Sequence, residues 1–122
     1  MNDITDKIKN YISLNDLDES EEEFKLKIQG WKKEVLKDRS FEEELKIHKA
    51  LANKERLLIY KLLLKRPICT CVLSFILNKS QSTISRHLKI IEDAGLIIGK
   101  KEGYFVYYYT REKFAQEFSF SL

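Results

Sequence analysis

Proline and glycine are scarce in this 122-residue chain, with one Pro and four Gly. That excludes a loop-rich or turn-punctuated architecture and favours helix, because these two residues are the main local breakers of regular structure. Only two cysteines are present, Cys69 and Cys71, so no disulfide framework can carry the fold and a hydrophobic core must do so. Uninterrupted apolar runs are only a few residues long, as at Leu62 to Leu64, far below the ~20 residues needed to cross a bilayer. The first residues mix Asp3, Asp6, Lys7 and Lys9 with isolated isoleucines and lack the apolar stretch of a secretory signal, so the expectation is a cytoplasmic protein. There is no glycine-rich phosphate loop and no Ser/His/Asp or Cys/His set on loops, and the carboxylates fall in helical charge runs. Nothing here has the composition of an enzyme active site.

What is present is 43% hydrophobic and 34% charged residues, the balance of a chain that folds in water. Net charge is +3, but it is unevenly distributed. Residues 1–40 hold 8 Lys and Arg against 10 Asp and Glu, whereas the remainder holds 14 against 9. An acidic arm followed by a basic body points to an anionic partner for the body, and nucleic acid is the commonest intracellular polyanion. The expected organisation is therefore an N-terminal helical arm over residues 1–40, serving dimerisation or covering the core, and a second domain over residues 41–122.

Helical spacing of Ile4, Ile8, Tyr11 and Ile12 predicts a short first helix. Ser20 with Glu23 reads as a capping box, after which Phe24, Ile28, Trp31 and Val35 form one apolar stripe to about Lys37. Ser40 with Glu43 repeats the start signal for a helix lined by Phe41, Leu45, His48, Leu51 and Ala52. Asn53 can cap the next, Lys54 to Lys65, whose Leu57, Leu58, Ile59, Leu62 and Leu63 cover most of its circumference and predict a central buried helix. Pro67 stops it.

Thr70 can cap a helix through Leu73, Ile76 and Leu77, residues Asn78 to Ser80 form a turn, and Ser80 caps a second helix from Gln81 to about Ala94, ended by Gly95. This is a helix-turn-helix pattern. Its second helix has an apolar back of Ile84, Leu88 and Ile91 and a polar, cationic front of Ser82, Ser85, Arg86 and Lys89. The period then shortens to two: Leu96 to Gly99, a basic turn at Lys100 to Gly103, and the β-forming run Tyr104 to Thr110 make a hairpin. The predicted fold class is mainly α with a small β-hairpin wing, a winged helix-turn-helix with an N-terminal helical extension. Arg111 to Leu122 is a tail in which Phe114 and Phe118 lie one helical turn apart.

Three segments, ALANKERLLIYKLL at Ala50 to Leu63, SQSTISRHLKIIEDAGLI at Ser80 to Ile97 and GKKEGYFVYYYT at Gly99 to Thr110, occur in the order and spacing of one family. The chain resembles the ArsR/SmtB family of winged-helix repressors over Glu44 to Thr110. The resemblance implies a homodimeric transcriptional regulator of double-stranded DNA that recognises an imperfect palindrome and is often released by a metal ion or another signal. It also implies sites that can be checked. Cys69 and Cys71 match a Cys-x-Cys metal site at the start of the first helix of the motif, but the third thiol position is Ser74, the arm has no cysteine and the tail has no histidine. No cofactor is expected on this basis, since soft metals take three or four ligands. The cysteines are then core residues first, with a redox pair or a two-thiolate metal site at Cys69 and Cys71 as the alternatives. Two residues on one helix point about 200° apart, so a bridge needs a non-helical turn there.

The candidate reading residues are Gln81, Ser82, Thr83, Ser85 and Arg86 in the major groove, where Gln pairs with adenine and Arg with guanine. Lys79, Lys89, Lys100, Lys101 and Tyr104 are candidates for phosphates or the minor groove. His48, in a core stripe, and His87, beside Arg86, fit packing or phosphate contact better than metal ligation. The aromatics Tyr104, Tyr107, Tyr108 and Tyr109 could stack single-stranded bases, but strand alternation commits at least one side of them to the core. A winged helix that mediates protein-protein contacts without DNA is the alternative reading. The arm's Phe24, Ile28, Trp31 and Val35 need burial, which a dimer interface would supply, and Val72 and Phe75 offer another apolar surface in need of cover.

Overall fold

The computed structural model describes residues 3–118, and the expected end of the tail, residues 119–122, lies outside them. The chain divides into two units, Met1–Glu42 and Glu43–Leu122, the division falling inside a helix.

The first unit contains α1 (Asp3–Leu14) and α2 (Glu21–Lys37). Ser20 caps α2 with the expected box, its hydroxyl accepting from the Glu23 N–H at 3.1 Å while the Glu23 carboxylate accepts from the Ser20 N–H at 3.4 Å. Tyr11 and Phe24 stack with ring centroids 5.5 Å apart, and Ile12 is buried. Three ion pairs, Lys9 to Glu21 and Lys25 to Glu21 on the helices and Lys27 of α2 to Glu19 in the connection between them, lie alongside. Past Phe24 the stripe on α2 is uncovered, with Ile28, Trp31 and Val35 all exposed. The start of α3 (Arg39–Leu51) differs from the expected cap. The helix begins two residues earlier, and Asp38, not Ser40, supplies the acceptor, taking the Ser40 N–H at 3.0 Å and its hydroxyl at 2.9 Å. Those two hydrogen bonds, backbone first, hold the Asp38 carboxyl below its usual range.

The second unit holds the rest of α3, then α4 (Lys54–Lys65), β1 (Ile68–Cys69), α5 (Thr70–Leu77), α6 (Gln81–Asp93), β2 (Ile97–Glu102), β3 (Phe105–Thr110) and α7 (Arg111–Phe118). Its core is Ile59 and Leu63 from α4, Leu73 from α5, Ile84, Leu88 and Ile91 from α6, and Ile97 from β2. Each of these side chains is worth ~1.5 to 3 kcal/mol on burial, and together they fix the three helices on the sheet. Asn53 caps α4 as expected, accepting from the Arg56 N–H at 3.0 Å. Yet α4 is not buried all round: Leu57, Leu58 and Leu64 stay exposed because only its Ile59 and Leu63 side meets the other elements. Likewise His48 is exposed, not part of a core stripe, since Ala50 is the buried position of α3. Val72 and Phe75 on α5 are exposed too.

Three strands form the sheet, in the order β1-β3-β2, all antiparallel. The pairing Glu102 with Phe105 leaves Gly103 and Tyr104 as a two-residue turn, for which Gly103 supplies φ +64°. The hairpin is therefore tighter than its sequence suggests, and Lys100 and Lys101 belong to β2 rather than to the turn, opposite Tyr107 and Val106. The strand β1 was not expected, being only two residues after Pro67 that pair with Tyr108 and Tyr107. It also displaces the expected Thr70 cap: Thr70 is the first residue of α5, and Cys69 stands at the capping position without a side-chain hydrogen bond to the helix.

Candidate nucleic-acid interface

A short turn sets the angle between α5 and α6. Asn78 adopts the left-handed conformation, φ 54° and ψ 48°, and its N–H bonds back to the carbonyls of Phe75 and Ser74. The Ser74 hydroxyl donates to the Lys79 carbonyl, bracing the turn from the other side. Ser80 then starts α6, its hydroxyl accepting from the Thr83 N–H at 3.2 Å and donating to Thr83 Oγ1 at 2.9 Å, with Ser82 Oγ at 3.1 Å. Thr83 is thus committed to the cap. Ile84, Leu88 and Ile91 are completely buried on the back of α6, whereas Gln81, Ser82, Ser85, Arg86 and Lys89 are exposed on its front. The pattern follows from the 3.6-residue period: burying three residues of one stripe obliges the opposite stripe to face outward.

Charge on this front is unequal in availability. Arg86 makes no ion pair or side-chain hydrogen bond among the described residues, so its guanidinium keeps its five donors for another partner. Lys89 lies 3.7 Å from Asp93 in an exposed pair, which contributes little and releases easily. Lys79 is 3.9 Å from the Glu55 carboxylate. His87 is turned away from the front: its Nε2 is 3.7 Å from Glu55 and its Nδ1 is 3.4 Å from the Arg56 guanidinium, which also donates to the Ala50 carbonyl at 2.6 Å. It ties α6 to α4. That is a packing role, and sequence spacing beside Arg86 gives no sign of it.

The wing brings the remaining candidates together only in part. Tyr104 is 99% exposed at the tip, and Lys101 projects from β2. Lys100 lies instead with its ammonium 4.5 Å from the Phe118 ring, in a cation–π contact within the fold. Behind the strands Tyr109 packs edge-on to Phe114 and Phe118, with centroids 5.8 and 5.4 Å away, and donates to the Glu102 carboxylate at 3.0 Å. Burial first, then that carboxylate, pushes its hydroxyl pKa up to about 12. Tyr108 lies against the core, and burial followed by the Glu92 charge raises its pKa as well. Glu92 in turn accepts the Gly99 N–H at 3.1 Å, fastening the wing to α6. With Tyr108 and Tyr109 engaged in this way, the aromatic run is largely structural rather than a stacking platform.

Between α6 and the wing lies a cavity of about 370 Å³, lined by Gln81 and Ser85, by residues 69–71 and by residues 104–106. Cys69 and Cys71 meet there with their Sγ atoms 3.0 Å apart. Two ligands on one zinc-like ion, each ~2.3 Å from it in tetrahedral array, would sit wider apart than this. Ser74 takes the third position and is spent on the Lys79 carbonyl, and no group of three or more His, Cys, Asp or Glu residues suited to a metal ion exists among the described residues. Two thiols fall short of the three or four ligands such an ion takes. No described helix is long and apolar enough to cross a membrane.

Comparison with known proteins agrees with this geometry. A family described as bacterial regulatory protein, arsR family, matches residues 53–98, which run from the cap of α4 into β2. An uncharacterized HTH-type transcriptional regulator of Methanocaldococcus jannaschii is 40% identical over 70 residues, 57% of this chain and 79% of that protein. The arsenical resistance operon repressor of Escherichia coli is 39% identical over 70 residues, 57% of this chain, which spans 60% of the length of that relative. Among solved structures, HlyU from Vibrio cholerae superposes with a TM-score of 0.57 at 27% identity, over 68% of this chain and 99% of that one. The homodimeric winged helix-turn-helix DNA-binding domain of a possible ArsR-family transcriptional regulator from Mycobacterium bovis gives a TM-score of 0.58 at 28% identity, over 67% and 80%.

Proposed function

The chain belongs to the arsR family of bacterial regulatory proteins, and we propose that it is a sequence-specific double-stranded-DNA-binding transcriptional repressor acting as a homodimer. The observation that carries this reading is α6 itself, an exposed front of Gln81, Ser82, Ser85 and Arg86 over a fully buried back, capped at Ser80 and followed directly by a hairpin with an exposed tip. In this reading Gln81, Ser82, Ser85 and Arg86 face base edges in the major groove, with Thr83 at the cap beside them. Lys79, Lys89, Lys101 and Tyr104 contact phosphates or the adjacent minor groove and set the register, and Lys100 contributes through the field of the wing. A two-fold dimer would present two such helices one DNA turn apart, which calls for a palindromic site. The uncovered apolar stripe Ile28, Trp31 and Val35 on α2 supports the arm as part of the dimer interface.

Selection of bound fragments from a genomic library, followed by titration of the enriched duplex at several salt concentrations, tests the reading. A single enriched motif with two-fold symmetry is the expected result. Equal retention of all fragments would reduce the protein to a non-specific polycation binder, and retention of none would leave the interaction-module reading. For the dimer, Trp31→Glu should lower the sedimenting mass towards that of one chain, and an unchanged mass would remove the arm from the interface.

A further inference from the structure

DNA binding leaves the cysteine pair unexplained. Cys69 ends β1 opposite Tyr107 and stands before α5 in an extended conformation, φ −85° and ψ 159°, while Cys71 lies in the first turn of that helix. This break between strand and helix is what lets residues two apart face each other, which a continuous helix would forbid. Their Sγ atoms are 3.0 Å apart as free thiols, against ~2.05 Å in a disulfide, so bond formation needs a closure of about one ångström. Cys69 is buried and Cys71 is partly open, and both line the cavity between α6 and the wing. Burial pushes the Cys69 thiol up, but the adjoining Cys71 thiol and the N–H groups of Val72 and Cys71 more than offset this and leave it below the ordinary thiol value. Its neighbour moves the other way, Cys71 being raised by Cys69 and by burial. The order of attack follows from access, the partly open Cys71 meeting the reagent first and the buried Cys69, 3.0 Å away, resolving it.

We propose that Cys69 and Cys71 form a reversible dithiol–disulfide site that reacts with low-molecular-weight disulfides of the glutathione type, and that closing the bridge weakens DNA binding. The chemistry balances in two steps. The Cys71 thiolate attacks one sulfur of the incoming disulfide, forming a mixed disulfide and expelling the first thiolate, which takes the proton Cys71 gave up. The Cys69 thiolate then attacks Cys71 Sγ, breaking the mixed bond and releasing the second thiolate, which takes the Cys69 proton. The protein has lost two electrons and two protons, and the reagent has become two thiols. The consequence for DNA rests on the interface proposed above. Drawing Cys71 towards β1 moves the start of α5 relative to the strand that pairs with β3, and those elements set the spacing between α6 and the wing across the shared cavity.

The test uses the full chain equilibrated in glutathione and glutathione disulfide at graded ratios, alkylated to trap free thiols and weighed intact, with DNA affinity read in parallel by fluorescence anisotropy on the enriched duplex. The native chain should lose two hydrogens through a transient single glutathionyl adduct. Cys69→Ser should stop at that adduct on Cys71, and Cys71→Ser should stay reduced; Cys69→Ala, which keeps the buried site apolar, replaces the serine variant where that does not fold. Affinity of the oxidised native chain should drop about tenfold, an ordinary coupling between two sites, and return with dithiothreitol. A chain variant lacking both thiols should bind equally in every buffer. A native chain that stops at the adduct, bridges to a second chain or stays reduced at every ratio overturns the site. A bridge formed with affinity unchanged overturns the coupling alone, and a reduced chain that binds no duplex overturns the DNA reading while the mass result still decides the thiol chemistry.

Discussion

Arg86 offers the sharpest measurement. It is exposed on α6 and has no ion pair or side-chain hydrogen bond among the described residues, so Arg86→Ala removes nothing that holds the fold. Its effect on stability should therefore stay within about 0.5 kcal/mol, the range of surface substitutions that touch no special feature. Binding is another matter. A guanidinium paired bidentately with guanine contributes ~1 to 3 kcal/mol of discrimination, and a two-fold dimer makes the substitution twice, so roughly 2 to 6 kcal/mol should be lost on the cognate site. Against an unrelated duplex the loss should be far smaller. Fluorescence anisotropy on the enriched duplex and on a scrambled one, with thermal denaturation of both proteins, separates the two quantities. Equal losses on both duplexes would make Arg86 a phosphate contact, visible also as a fall of ~0.9 per contact in the slope of log K against log salt. Unchanged affinity on the cognate duplex would refute the orientation assigned to α6.

Lys101→Ala should weaken all duplexes alike and lower the salt slope, whereas Lys100→Ala, whose ammonium lies over Phe118, should change the slope less; the paired titrations check the ordering. Leu88→Ala empties a fully buried position and should cost ~2 to 5 kcal/mol in denaturant unfolding. Gly99→Ala would put a Cβ 2.8 Å from Tyr108 Cε1, and because that ring is held against the core the substitution should cost ~1 to 3 kcal/mol, relieved when Tyr108→Leu is added in a double-mutant cycle. Tyr109 keeps its proton in the folded state up to about 12 because it is buried and then because it donates to Glu102, while an unfolded tyrosine releases it near 10. The folded pKa is the higher, so this stability is fully present below about pH 10 and is lost as pH rises through about 12. Tyr109→Phe should flatten that alkaline limb, measured by unfolding at graded pH.

Features decided within one helical turn were readable from residue order. Ser20, Asn53 and Ser80 each cap the helix that follows because the acceptor and the N–H lie three residues apart, and Ile84, Leu88 and Ile91 share a face for the same local reason. The front of α6 follows from that geometry and from nothing distant. The start of α3 shows the limit even of local signals, since the Asp38 carboxylate, the stronger acceptor, takes both the N–H and the hydroxyl of Ser40 and so engages the side chain that would have capped. Long-range features were not readable. β1 has two residues and no period of its own, and it exists because Tyr107 and Tyr108 arrive from the far end of the unit. Its presence decides the state of the thiols: with Ile68 and Cys69 held extended, the turn into α5 aims Cys69 at Cys71, whereas the same four residues in one helix would point them apart. The wing lysines divide by the same logic. Alternation along β2 sends Lys100 and Lys101 to opposite faces, and α7, folding back under Tyr109, puts Phe118 beneath the first and leaves the second for solvent. Two adjacent residues of identical chemistry thus acquire different partners from a helix that neither contacts in sequence, which is why their separate substitution discriminates between a folded wing and a merely basic one.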